Sequence, residues 1–300
     1  MVLYRHISFS ESLVLFQNIR VPFFCLAIGF GIVSINLNAL RWHILVSPFG
    51  TFRFTHIWYL SWVALFFNTY LPGGMVGDIT KVTMLHHEAK FQSGISVLTD
   101  KLIGFLSLLF LSLAGLMVCK RSLFEIYIFI PFFLLSIAII FLSLFIMAKP
   151  FRLKLTHLLN HLKRLRPLVH SVNDACDHYQ KNHLLLAFSV SLFSQLWVIS
   201  YFYALSIALT MSIPLISFFF FIPMVELISA LPLSQGGLGI REAMMIALFS
   251  SKEILSSHIL SLSLLSFLLL LFLGLMGGII FLGHKVIRKM WIPKAQEQTS

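Results

Sequence analysis

Charge is what this sequence has least of. Charged residues occupy 11% of its 300 positions, less than half of the roughly 25% usual in soluble domains. Acidic residues number only 11 and cysteines only 3. The shortage of charge excludes a water-soluble globule, because a folded chain of this size needs polar surface to cover its core. The cysteines give no paired framework: Cys25 and Cys119 lie in apolar runs, and Cys176 lies in the most basic gap. A nucleotide-binding loop is also missing, which argues against direct use of ATP.

What fills the space is apolar. Hydrophobic residues make up 58% of the chain, 31 of them Phe, and the mean hydropathy is +0.92. The bilayer is therefore the solvent. The net charge of +11 comes from 22 Lys and Arg against 11 Asp and Glu. These bases sit in gaps between apolar runs, the pattern of positive-inside topology, so nucleic acid is not an expected partner.

A helix needs about 20 mostly apolar residues to cross a bilayer, since its backbone must satisfy its own hydrogen bonds there. Such runs extend from about Val21 to Leu40, Phe54 to Leu71, Leu102 to Cys119, Phe124 to Ala148, Leu184 to Leu209, Ile213 to Leu231 and His258 to Leu282, with a half-span from Glu242 to Ser250. The fold class predicted is all-α: one polytopic helical bundle over residues 1–300 with about 7–8 spans. Residues 1–20 form an N-terminal segment without a cleavage pattern, so no cleaved signal peptide is expected.

Residues 149–183 are read as a basic amphipathic connector. From Lys149 to Arg166 the bases Lys149, Arg152, Lys154, Lys163, Arg164 and Arg166 come without an acid, while Leu155, Leu158, Leu159, Leu162, Leu165, Val169 and Val172 recur at helical spacing. Basic loops of this kind stay cytoplasmic, and residues 284–300 form a second basic segment. Both termini are then expected in the cytoplasm. That requires an extra crossing or a re-entrant hairpin between Pro232 and Ser257.

Two segments concentrate polar residues, each after an apolar run. The first carries Asn68, Pro72, Gly73, Gly74, Gly77, Asp78 and Lys81; the second carries Glu226, Pro232, Ser234, Gln235, Gly236, Gly237, Gly239, Arg241 and Glu242. They share an order of parts: apolar helix, Leu-Pro, paired Gly, a further Gly, then acid and base. This reads as an internal repeat of two Gly/Pro-broken, re-entrant segments. Pro ends the incoming helix, Gly permits close approach or positive φ, and a new helix can start. Free N–H groups at such a start, with the helix dipole, favour an anion. Lys81 and Arg241 would add full charges there, enclosing a shared electropositive chamber.

Glu226 is the one ionisable side chain between Ile213 and Leu231, and should face a cavity, an internal cation or a proton pathway. Asp100-Lys101 opens the third run, where adjacent charges can pair at an interface. Arg41-Trp42 near the end of the first run reads as an interfacial anchor, the indole at headgroup depth and the guanidinium snorkelling. His86-His87 is an adjacent pair in a polar loop and His157/His161 an i, i+4 pair without an accompanying acidic ligand motif, so no metal site is expected. No cofactor is expected either.

Arg41-Trp42, Asn68 with Leu-Pro-Gly-Gly and Gly77-Asp78, Asp100-Lys101, and Leu-Pro followed by Gly236-Gly237-Leu-Gly239-Ile-Arg241-Glu242 together resemble the lysylphosphatidylglycerol synthase transmembrane family. The resemblance runs from about Val21 to Leu282, and its last motif is the most specific. It implies a polytopic protein that handles or translocates lipid, like the flippase half of the bifunctional synthase/flippase. About 17 residues follow the last apolar run, too few for the soluble aminoacyl-transferase domain of the bifunctional relatives. Lys81 and Lys101 stand where relatives usually carry Arg, which keeps charge but loses the bidentate fork.

The leading expectation is a flippase-type transporter in a bacterial-type inner membrane, moving a phospholipid or a polyprenyl-phosphate-linked lipid. Lys81 and Arg241 would hold the phosphate, with Asp78, Glu226, Glu242, Asn68, Ser234 and Gln235 completing the substrate site and Asp100, Lys101 and Arg41 in support. The expected partners are lipids with anionic or phosphate-containing headgroups, with a homo-oligomer left open. The alternatives are a membrane-embedded lipid-modifying transferase, with Asp78 and Asp100 on a divalent ion, and an accessory subunit of a membrane complex. An aspartyl protease fits poorly: Gly74 to Asp78 is one residue longer than the Gly-x-Gly-Asp signature, and a second catalytic Asp in a preceding span is lacking.

Overall fold

A computed structural model describes residues 19–72, 74–85, 90–118, 137, 166–230, 237, 239–249 and 256–291. Nine α-helices account for nearly all of them, and no strand occurs among the described residues. In chain order these are α1 (Val21–Val46), α2 (Phe54–Tyr70), α3 (Val76–Leu85), α4 (Lys90–Val118), α5 (Arg166–Asp177), α6 (Lys181–Ala208), α7 (Leu215–Ser229), α8 (Ile240–Phe249) and α9 (Ser256–Trp291). A 3-10 turn, Ser47–Phe49, follows α1.

Among the described residues, four stretches are long and apolar enough to cross a bilayer: Val21–Phe49, Phe91–Ala114, Lys181–Ala208 and Ser256–Gly283. They belong to α1, α4, α6 and α9. The apolar runs predicted at 54–71 and 213–231 fold as helices of 17 and 15 residues. At 1.5 Å per residue these cover about 22–26 Å, short of the roughly 30 Å hydrocarbon layer. Of the predicted span from Phe124 to Ala148, all but Ile137 lies outside the described residues. The third run was placed too late in the chain, since α4 begins at Lys90. Asp100 and Lys101 therefore sit inside the helix, not at its mouth.

The helix order repeats. Each half presents a long helix, a shorter apolar one, a Gly/Pro break, a 10-residue helix and a second long helix: α1–α4 in the first half, α6–α9 in the second. Packing follows the same plan. α1 lies along α6, α2 packs on α9 of the other half, and α7 packs on α4. The two halves are thus exchanged across a shared centre.

Small residues bring these helices together, as expected where lipid supplies no hydrophobic drive. Ala27 of α1 and Ala187 of α6 are fully buried, and the Ser34 and Ser194 hydroxyls meet at 3.1 Å. On α9 a Cβ at Gly277 would stand 2.2 Å from the Trp62 carbonyl oxygen of α2. Any larger residue there would force the two helices apart.

The connector meets the bundle through α5. Ala175 and Cys176 are buried with Ile95 and Leu102 of α4, against Phe49, Val172 and Tyr179. The first part of the predicted connector, 149–165, lies outside the described residues.

Candidate functional site

The first break is held by a close backbone crossing. A Cβ at Gly77 would lie 2.0 Å from the Ala64 carbonyl oxygen, so only glycine lets the start of α3 rest on α2. Asn68, near the end of α2, accepts the Gly77 N–H at 2.7 Å. The second break is secured by α8 itself. Glu242 accepts the Gly239 N–H, and Ser263 of α9 donates to its other oxygen at 3.1 Å. This is the carboxylate half of a capping box. Gly237, at φ +79°, supplies the left-handed turn that L residues avoid.

These contacts correct two expectations. The Gly77 and Gly239 N–H groups do not await an anion, since Asn68 and Glu242 already cap them. Glu242, expected among the substrate contacts, is instead a capping residue 8% exposed. Gly74 has a positive φ of 60°, whereas Gly73, Pro232, Ser234, Gln235 and Gly236 lie outside the described residues. Pro72 stands in the turn between α2 and α3.

Arg41 is not an interfacial anchor. It is 7% exposed and Trp42 is fully buried. The Arg41 Nε donates to Asp100 Oδ1 at 2.6 Å and its Nη1 to Ser191 Oγ at 2.8 Å, with Ser107 a further 2.8 Å from Ser191. The Trp42 indole donates to Ser96 at 3.2 Å. A Cβ at Gly104 would approach the guanidinium to 3.2 Å, so glycine makes room for it. This pair joins α1, α4 and α6 at their meeting point.

Lys81 also departs from expectation. Its ammonium lies 3.9 Å from Asp100 Oδ2 and 4.6 Å from the centre of the Trp42 ring, and it does not line the central cavity. Lys101 takes that place, 2.7 Å from Asp78 Oδ2. Asp78 and Asp100 thus each face cations, the arrangement of an ion-pair network rather than of two carboxylates sharing a divalent ion.

Between the two breaks lies a cavity of about 340 Å³. Its polar lining includes Asn38, Arg41, Asn68, Lys101, Gln195, Glu226 and Arg241, and Gly74 and Gly237 bring both broken segments to its wall. Asn38 and Gln195 were not singled out from sequence, since an isolated amide in an apolar helix gives no spacing signal. Arg241 lies 3.7 Å from Glu226, beyond hydrogen-bond range, and its Nε has no hydrogen-bond partner among the described residues.

The cavity wall carries three cations, Arg41, Lys101 and Arg241, and one carboxylate, Glu226. Each of these cations faces a carboxylate: Arg41 and Lys101 are closed onto Asp100 and Asp78 at 2.6 and 2.7 Å, whereas Arg241 stands 3.7 Å from Glu226. Such a chamber can accept an anion where it displaces Glu226 from Arg241, and can offer Glu226 to a cation in exchange.

The model of a family described as Lysylphosphatidylglycerol synthase TM region matches residues 1–278. No curated protein and no solved structure matches the chain.

Proposed function

This chain belongs to the lysylphosphatidylglycerol synthase transmembrane family, a membrane family of lipid handling, and from that premise we propose that it is a flippase-type lipid transporter. It is a multi-pass helical membrane protein, by the four long apolar helices among the described residues and by its family. One observation supports the finer reading: Arg241, whose Nε has no hydrogen-bond partner among the described residues, lines a cavity that Gly74 of the first half and Gly237 of the second also line.

The cargo is a phosphate-bearing lipid whose headgroup enters the cavity while its tails stay in apolar surroundings. Arg241 grips the phosphate through its planar fork, Lys101 adds a point charge, and Asn38, Asn68 and Gln195 supply uncharged contacts. Glu226 yields its place beside Arg241 to the phosphate, and can bind a cationic part of the headgroup. Rocking of one repeat against the other alternates access to the two leaflets. No bond is made or broken, so the protein works as a carrier rather than an enzyme, in a bacterial-type plasma membrane with both termini cytoplasmic.

Reconstitution into vesicles with a fluorescent phosphate-bearing lipid tests this. The wild type should speed exchange between leaflets over protein-free vesicles, and Arg241→Gln should lose most of that gain while remaining folded. Equal rates for wild type, variant and empty vesicles would reject transport.

A further inference from the structure

A second, smaller cavity of about 130 Å³ adjoins the first, and both are lined by Leu65, Glu226, Arg241 and Leu270. The loose ion pair is thus a partition between two chambers of different character. On the far side the walls are Gly31, Ile35, Val198, Phe202 and Leu273. Two hydroxyls also reach it, each already bonded within the protein: Ser34 meets Ser194 at 3.1 Å, and Tyr201 donates its proton to the Ser266 carbonyl at 2.8 Å. At about 30 Å³ for a water-sized group, the chamber holds roughly four such groups, and it offers them apolar contact.

This placement constrains what lies next to the phosphate. An anion on Arg241 has polar partners in the large cavity, and the same side chain also lines the smaller, largely apolar one. A glycerophospholipid puts a glycerol and two ester oxygens at that position, and those oxygens would lose water without gaining donors. A phosphate ester of a hydrocarbon alcohol puts methylene or methyl groups there. We infer that the paired chambers select phosphate esters whose apolar carbons begin directly at the ester oxygen, of alkyl or prenyl type, over glycerol-linked phosphates. This rests on the reading of the large cavity as a headgroup site and narrows its cargo.

Calorimetric titration of the whole protein in nanodiscs, with empty nanodiscs as the blank, tests it with small soluble probes. Methyl, ethyl, propyl and butyl phosphate should bind with affinity rising about fourfold per added carbon, the worth of one buried methylene. Butyl phosphate should exceed glycerol 3-phosphate by at least about tenfold. Filling the small chamber with Val198→Phe, or with Ile35→Phe where the first variant folds poorly, should flatten the series and leave methyl phosphate binding unchanged. A flat series in the wild type, a preference for glycerol 3-phosphate, or a rising series that survives filling would each overturn the inference. If methyl phosphate does not bind, or binds Arg241→Gln as well as wild type, the headgroup site itself is wrong. If methyl phosphate binds through Arg241 but chain length is without effect, only the selectivity fails. Adding a long-chain prenyl phosphate to the bilayer separates the lipid source from the free ester: it should compete with butyl phosphate if the site is open to the membrane.

Discussion

Arg241 and Glu226 face each other at 3.7 Å, while Arg41 and Asp100 close to 2.6 Å. Both pairs cross between helices, but only the first is loose and only the first divides two cavities. The tight pair has the geometry of a fastening, the loose one that of an exchangeable contact. Neutralising Glu226 should therefore release Arg241 to an anion. Glu226→Gln is expected to bind methyl phosphate several-fold more tightly and to release it more slowly. Unchanged or weaker binding in nanodiscs would show that Glu226 does not compete for the guanidinium.

Breaking the tight pair should instead cost stability. Removing one partner of a buried ion pair leaves the other charge unmatched, at about 3–5 kcal/mol. Arg41→Ala should lower the thermal unfolding midpoint in detergent sharply, and Asp100→Ala should do the same. Replacing both with apolar residues, Arg41→Met with Asp100→Leu, should recover part of the loss, although Lys81 then lacks its carboxylate. A midpoint unmoved by either single change would contradict the fastening role.

The two lysines should separate by readout. Lys101 lines the cavity and Lys81 does not. Lys101→Gln is expected to weaken methyl phosphate binding by about tenfold, the worth of one charge-assisted contact. Lys81→Gln should leave binding nearly intact and lower stability by about 1–2 kcal/mol, through loss of its contacts with Trp42 and Asp100. The reverse assignment in titration and unfolding measurements would place the headgroup at Lys81.

Glycine substitutions should divide in the same way. Gly77→Ala drives a methyl group into the Ala64 carbonyl and should cost at least about 1–3 kcal/mol, by displacing α3 from α2. Gly94, inside α4, has nothing within 4 Å of its added Cβ. Gly94→Ala should therefore be neutral or stabilising by up to about 1 kcal/mol. Matching losses in unfolding experiments on the two variants would mean that the break does not depend on that crossing.

The membrane class, the family and the two interrupted segments were legible in the sequence because each leaves a local trace: long apolar runs, a motif, and Leu-Pro with paired Gly. Depth was not legible. Arg41 reads as a surface anchor because a charge near the end of an apolar run resembles one that snorkels, and only the position of Asp100, 59 residues away, reveals its burial. Asp100 was misplaced because hydropathy begins a span after the last charge, whereas α4 runs through Asp100 and Lys101 as one helix. Lys81 and Lys101 exchange places for a related reason. Sequence shows that both are near Asp residues, but which ammonium turns toward the cavity is decided by the packing of α3 on α4.

The pairing around the cavity has an electrical consequence. Arg41 and Lys101 each face a carboxylate behind the wall, and Arg241 faces Glu226, so in the proposed transporter the three cations of the wall are matched while the site is empty. A bound monoanionic ester would then bring its own charge alone and, in crossing the full field, would gain or lose about 2.3 kcal/mol per 100 mV; with the cytoplasm negative, the voltage would favour its outward passage.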